Sequence, residues 1–488
     1  MLKKLDNCIQ DAHTPLAGWP HNFFVRAADR FLYSPWYFFL IGTMTVIANV
    51  FSAEIPVYVC FILIALYLSF FGRDYLPLLP IFICCYIAPS SANNPGRSEN
   101  SIFYGCSGAF LLILAGIFLI SLILRLALDS QIGRKAFFTA KRRLLPGILA
   151  LGAAYLLSGV GSGHYFDHGW GNLLFSAIQF LSVFLLYYLY AGAVRWDKAP
   201  AEYMAWTGMC IGFVLLSEIT LIYLNNPILV DGHIQRHLIY TGWGNYNNVG
   251  ALLTMMIPFA SQLACVKKHG WIYFLCGTLF LIGVLLTCSR TSLLFAAAIY
   301  FVSFLLACLK SRNRRSGVIA IAAVSGSALL LVAVFHKQFF SFLYNLFANH
   351  LSVQTRIDGY MKGLEQFLSY PLFGGTFYPT DYDLFEWSSV EAFTSFFPPR
   401  WHNTIVQLAA SCGIVGLAAY AYHRWQTFRL IRKNPSLENL FIALSIAALV
   451  LTSLMDCHFF NVGPTMFYSL ALAFAEKRGS PASTQPQS

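Results

Sequence analysis

The chain has 488 residues, of which 57% are hydrophobic and only 11% charged, and its mean hydropathy is +0.61. Such values exclude a string of ordinary soluble domains, in which about a quarter of residues carry charge. The net charge of +11 falls on membrane flanks, with no separate basic stripe interleaved with aromatics, so anionic inner-leaflet lipid explains it better than nucleic acid does.

The first 35 residues lack the apolar region and cleavage site of a secretory signal, so the first helix is expected to serve as an uncleaved membrane address. Beyond them, apolar runs of about 17–25 residues recur, each long enough to cross a ~30 Å hydrocarbon core. They fall at 36–53, 55–72, 75–90, 103–128, 146–161, 171–193, 203–224, 243–264, 271–288, 291–309, 317–336, 403–420, 437–454 and 464–475. The expected fold is therefore all-α: a polytopic membrane protein of about fourteen transmembrane helices, or about twelve if short runs such as 75–90, 146–161 and 464–475 are re-entrant.

Basic residues in the connecting segments set the orientation. With the N-terminus cytoplasmic, the outer segments hold Arg97, Arg236, Arg290, Lys337, Arg356, Lys362 and Arg400, and the rest of the 32 Lys and Arg fall inside. This predicts a multi-pass plasma-membrane protein with both termini cytoplasmic and a site facing away from the cytosol. In chain order it divides into a cytoplasmic segment 1–35, helices 36–240, a core 241–475, and a disordered cytoplasmic tail 476–488.

The outer loop 337–402 is far longer than a turn between helices requires, and long ordered loops usually carry function. Within it Ile357, Tyr360, Met361, Leu364, Phe367 and Leu368 repeat at helical spacing, predicting an amphipathic helix that ends at Pro371 and lies on the membrane surface. Leu372-Phe373-Gly374-Gly375 then reads as a flexible turn.

The residues with chemistry to offer are few. Glu218 lies inside an apolar run, where a carboxylate has to be paired, protonated or facing water. Asn245, Asn247 and Asn248 open the run at 243–264; one can cap the helix, and Asn248 and its neighbour can line a polar cavity. Asp231, His233, Arg236 and His237 form a rim before them. Ser289-Arg290 sits at a helix-to-helix turn with almost no loop, and the arginine's planar fork suits phosphate oxygens as well as it suits a lipid headgroup. Arg356 opens the amphipathic helix; it can hold a second phosphate or pair with Asp358. His402 follows Pro398-Pro399-Arg400-Trp401 at a membrane helix entrance, where imidazole can take or hold a hydroxyl proton. The plainer alternative makes Asn403 a helix cap with the histidine merely beside it. Gly413 and Gly416 allow close helix packing. Asp456 and His458 read as interfacial polar residues. The twelve cysteines show no metal or disulfide spacing, and no metal or cofactor is expected.

His402-Asn403, nine residues, then Gly413-Ile414-Val415-Gly416 resembles the signature of O-antigen ligases and related lipid-linked glycan transferases. Ser289-Arg290, Arg356 and the Pro371–Gly375 run extend the resemblance over residues 240–420. The resemblance implies a metal-independent glycosyltransferase (ligase, polymerase or protein glycosyltransferase) working on the outer face with no nucleotide sugar. Arg290 and Arg356 would hold the diphosphate of an undecaprenyl-linked donor, and His402 would act on or orient the hydroxyl of a saccharide or other acceptor. Envelope polysaccharide assembly proteins would be its partners. Thr291 departs from the pattern, where glycine is frequent, and residues 1–200 carry no matching motif. The rival reading is a flippase for lipid-linked oligosaccharide, which should carry cations along a central path; here the outer-layer cations gather on one side.

Overall fold

The computed structural model describes residues 23–51, 53–71, 76–84, 90–92, 137–166, 171–193, 200–226, 228–230, 233–310, 351–377, 400–433 and 435–478, with a few isolated positions besides. Its helices in chain order are α1 (Phe23–Leu32), α2 (Pro35–Phe51), α3 (Glu54–Phe71), α4 (Leu78–Cys84), α5 (Leu145–Leu156), α6 (Gly171–Ala193), α7 (Pro200–Asn225), α8 (Tyr246–Val266), α9 (Gly270–Leu286), α10 (Arg290–Lys310), α11 (Leu351–Ser369), α12 (Thr404–Lys433), α13 (Leu437–Thr452) and α14 (Val462–Arg478). Among the described residues the protein is all-α but for two short antiparallel pairs before α8, Leu229–Val230 with His233–Ile234 and Tyr240–Thr241 with Gly244–Asn245. The runs 103–128 and 317–336 lie largely outside the described residues and only Leu78–Cys84 of the run 75–90 is described as helix; the other apolar runs fall on helices. Among the described residues, five helices are long and apolar enough to cross a membrane, and shorter apolar helices accompany them. Residues 479–488 of the expected tail, the loop residues 378–399 and Asp231 also lie outside the described residues.

Contacts divide the chain into two compact units that interleave along the sequence. The first comprises Met1–Lys141, Gly192–Ser289 and Ala296–Val334, so both sides of the expected boundary at 240 belong to it. At its centre stands α8, 94% buried over its apolar window. Neighbouring α7 comes close to α8 and α9 because Gly208 and Gly212 have no side chain; a Cβ on Gly208 would overlap Phe259 of α8, and one on Gly212 would overlap Phe280 of α9. The part of α10 from Ala296 onward turns Phe301 and Leu309 outward, each 65% exposed, as a lipid-facing helix should.

The second unit comprises Arg142–Ala191, Arg290–Phe295 and Phe335–Ser488. Its axis is α12, which packs against α5, α11 and α14. The run at 403–420 was expected to end at Tyr420, but the helix continues to Lys433. Residues such as His423, Thr427 and Leu430 are buried, and that burial holds the extra turns in place despite their polar content. Glu476 of α14 accepts from the Arg143 and Leu144 amides and from the Tyr187 hydroxyl, which satisfies donors that the start of α5 would otherwise leave open.

Candidate functional site

Built from the residues upward, the site of the second unit begins with a broken helix. Gly413 interrupts α12 with φ 62° and ψ −156°, a conformation open mainly to glycine. The break frees amides and carbonyls that cannot stay unpaired inside a membrane. The segment after α11 meets them. Ile414 and Val415 N–H donate to the Pro371 and Leu372 carbonyls at 2.8 and 3.2 Å, and Gly375 N–H donates to the Ala410 carbonyl at 2.8 Å. Gln366 Nε2 donates to Ala410 O at 3.0 Å, and Ser158 Oγ donates to Ser411 O at 2.6 Å. A Cβ on Gly413 would collide with the Pro371 and Leu372 carbonyls, and one on Gly374 with the Ser411 carbonyl. The Pro371–Gly375 run is therefore a plug in the broken helix; it is not the flexible turn that its glycines announce, and Gly413 serves that plug beyond allowing close helix packing.

This interlock fixes α11 against the start of α12. Gly363 packs on Val406 and Trp401, and Gly359 lies against Trp401. The opposite face is apolar and open: Ile357, Met361, Leu364 and Leu368 are all exposed. The helix ends at Ser369, just ahead of Pro371, as the sequence predicts.

At the entrance of α12 the Asn403 side chain accepts from the Ile405 and Val406 amides at 2.8 and 3.2 Å and donates to Leu454 O at 2.8 Å. The cap reading of Asn403 is thus realised. His402, however, is more than a bystander. Its φ is 52°, a left-handed conformation that costs a non-glycine residue energy. The Tyr360 hydroxyl donates to its carbonyl at 3.2 Å. Its Nδ1 lies 3.4 Å from Asp456 Oδ1, close enough for an ion pair but misaligned for a hydrogen bond. The ring is 41% exposed while Asp456 is 13% exposed, and since Nδ1 is shielded, the exposure falls on the other side of the imidazole.

Asp456 and His458, which the sequence presents as plain interfacial residues, complete the cluster. Burial pushes the Asp456 carboxyl up, but His458, His402 and the Cys457 amide overcome it and hold the group below the usual carboxylate range. Burial lowers the pKa of His458; Asp456 opposes this, and Arg400, His402 and Arg356 add to the lowering. Arg356, Arg400, His402 and Asp456 are therefore all within electrostatic reach of one buried imidazole. Asp358 accepts from Gln354 at 2.9 Å, and among the described residues Arg356 forms no ion pair with it. Arg290 begins α10, and its first turn, Arg290–Phe295, belongs by contacts to this same unit.

The remaining candidates belong to the first unit. Glu218 is fully buried and accepts from Asn49 Nδ2 at 2.7 Å and from the Gly242 amide at 2.8 Å. The pairing its position demands is thus supplied by α2 and the loop before α8, and the carboxylate acts as a brace. Asn245 caps α8, accepting from the Asn247 and Asn248 amides at 3.2 and 3.3 Å. Ser289 Oγ donates to Asn247 Oδ1 at 2.9 Å, tying that cap to the turn at Cys288, itself at φ 58°. Asn248 is half-buried beside them, and Arg236 lies over the Tyr246 ring, 5.2 Å from its centre.

Residues 275–421 match the family model described as O-Antigen ligase, and that match supports a relation to the O-antigen ligase superfamily. The match runs from within α9 to the middle of α12 and contains Ser289, Arg290, Arg356, His402 and Asn403; Asn248, Glu218 and Asp456 lie outside it. Comparison with curated proteins gives no match. With its apolar helices, the chain is a multi-pass membrane protein that handles glycans in the manner of O-antigen ligases and polymerases.

Proposed function

We propose that the protein transfers or polymerises a glycan from an undecaprenyl-diphosphate-linked donor onto a saccharide hydroxyl, on the extracytoplasmic face and without a metal. The observation that carries this reading is the half-exposed His402 backed by Asp456, with Arg356 in the same cluster, inside the segment that matches the O-antigen ligase family. Asp456 at Nδ1 favours the tautomer that leaves Nε2 as an acceptor. Nε2 then takes the proton of the acceptor hydroxyl as its oxygen attacks the anomeric carbon. The bond from that carbon to the diphosphate breaks, and the lipid diphosphate departs with the electron pair. Arg356 and Arg290 stabilise the charge that develops on the leaving group, usually the largest catalytic contribution in such reactions. The open apolar face of α11 would rest on the outer leaflet and keep these groups at headgroup depth.

The orientation follows from the basic residues of the inner segments, and the full complement of about fourteen spans belongs to the same proposal. The test is transfer in vesicles supplied with undecaprenyl-diphosphate glycan and a saccharide acceptor. Alanine at Arg290, Arg356 or His402 is expected to abolish transfer with the fold intact, while a chelator leaves it unchanged. Full activity in all three variants would reject the assignment, and cytoplasmic labelling of a cysteine placed in 351–377 would reject the sidedness.

A further inference from the structure

Beyond the Gly413 break, α12 carries a cation that glycan transfer does not use. Arg424 leans back along the helix, as helical side chains do. Its guanidinium carbon lies 4.7, 4.8 and 4.8 Å from the ring centres of Tyr420, Phe459 and Tyr468. Nη1 donates to the Tyr468 hydroxyl at 2.9 Å, and His423 Nε2 meets the same hydroxyl at 2.6 Å. The other edge of the guanidinium is different. Nε and Nη2 are shut off from solvent and make no well-aligned hydrogen bond, although the Tyr420 hydroxyl lies close to the guanidinium, and the Tyr155 hydroxyl on α5 is likewise unmet. Tyr155 lies within electrostatic reach of Arg424, Tyr420 and Tyr468. Among the described residues no carboxylate stands within ion-pair distance of Arg424.

Three aromatic faces stabilise a cation, but they do not satisfy N–H groups in the plane of the guanidinium. A buried donor on a charged group left unmet is costly, and a permanent charge inside a membrane bundle needs a counter-charge or a use. The Nε–Nη2 edge presents two parallel N–H bonds, the arrangement that receives one small anion side-on. Tyr155 supplies a third donor.

We propose that Arg424 and Tyr155 form a buried binding site for a small inorganic anion within the second unit, with the Tyr420, Phe459 and Tyr468 rings as its walls. The anion neutralises the guanidinium and holds α5, α12 and α14 together. The proposal is independent of the glycan-transfer reading, since none of these residues belongs to the His402 cluster.

The test is the thermal unfolding of the full chain in detergent at constant ionic strength, with gluconate, too large to enter, replaced by chloride in one arm and by inorganic phosphate in the other. A ligand that binds only the folded state raises the midpoint. The wild type is expected to unfold at higher temperature in at least one of the small anions, and which arm responds identifies the anion. Arg424→Gln should abolish that rise. Tyr155→Phe, which keeps the ring, should weaken the apparent affinity about two- to tenfold, as the loss of one hydrogen bond does; this variant decides the matter if Arg424→Gln fails to fold. A wild-type midpoint that is the same in all three salts would overturn the proposal, leaving water as the partner of these N–H groups. So would a rise that survives undiminished in Tyr155→Phe.

Discussion

Glu218 in the first unit is a fully buried carboxylate and Asp456 in the second a largely buried one, yet their surroundings differ in kind. Glu218 is held by an amide side chain and a backbone N–H, neither of which titrates near neutrality. Asp456 faces a histidine that is itself open to solvent. The first arrangement leaves the carboxylate nothing further to do than join α2, α7 and the loop before α8. The second leaves an imidazole oriented on one side and accessible on the other, the pattern of a base with its orienting partner. Burial of a charged group inside a membrane protein is thus a poor guide to function until its partners are known.

The largest expected effect lies at His402. Replacing it with alanine should slow transfer by about 10²- to 10⁴-fold, the usual share of a general base, while circular dichroism and the elution volume of the protein stay unchanged. Next comes the plug in the broken helix. Gly413→Ala forces a side chain into positive φ and against two carbonyls, so it should destabilise the second unit by roughly 2–4 kcal/mol, read as a lower unfolding midpoint and as proteolysis within residues 371–377.

Glu218→Ala would break the comparison from the other side. It orphans the Asn49 amide and the Gly242 N–H, at about 1–3 kcal/mol for each. The midpoint should fall while transfer per folded molecule stays near wild type; a large loss of rate in well-folded protein would move Glu218 into the substrate site. Asp456→Asn should cost less than His402→Ala, about ten- to a hundredfold by analogy with other orienting partners, and should shift the pH profile of the remaining activity.

The smallest effect is on stability against pH. His458 has a folded pKa below its unfolded value, so its neutral form favours the fold above about pH 6.5, and that contribution is lost as the pH falls through the folded value. Asp456 is depressed as well; its share is present above about pH 4 and is lost lower still. Both have the same sign, so the midpoint in denaturant should drop as the pH is lowered from 7 to 5, and His458→Gln should flatten that drop.

Much of this was legible in the chain. Apolar length marked the helices because a bilayer imposes it, and the His-Asn pair ahead of Gly413 marked the entrance of α12. Helical spacing placed the amphipathic α11, and the cap at Asn403 followed from residue type. What stayed hidden depends on contacts across sequence distance. Asp456 meets His402 only because α13 returns the chain to the same level, so it reads as an ordinary loop acid. Gly413 looks like a packing glycine until Pro371 and Leu372 are seen filling the gap behind it. Arg424 falls among the basic residues assigned to an inner flank, and only the continuation of α12 to Lys433 carries it into an aromatic cage. Arg356 with Asp358 is the opposite case, a plausible local pair that the helix does not form.

The measurement that bears most directly on the account is the transfer rate of folded His402→Ala protein in vesicles holding a labelled undecaprenyl-diphosphate glycan and its acceptor, set beside wild type and Glu218→Gln. Transfer by His402→Ala is expected to be at least a hundredfold slower, with donor still bound, and that by Glu218→Gln close to wild type. A His402→Ala rate equal to wild type would contradict it.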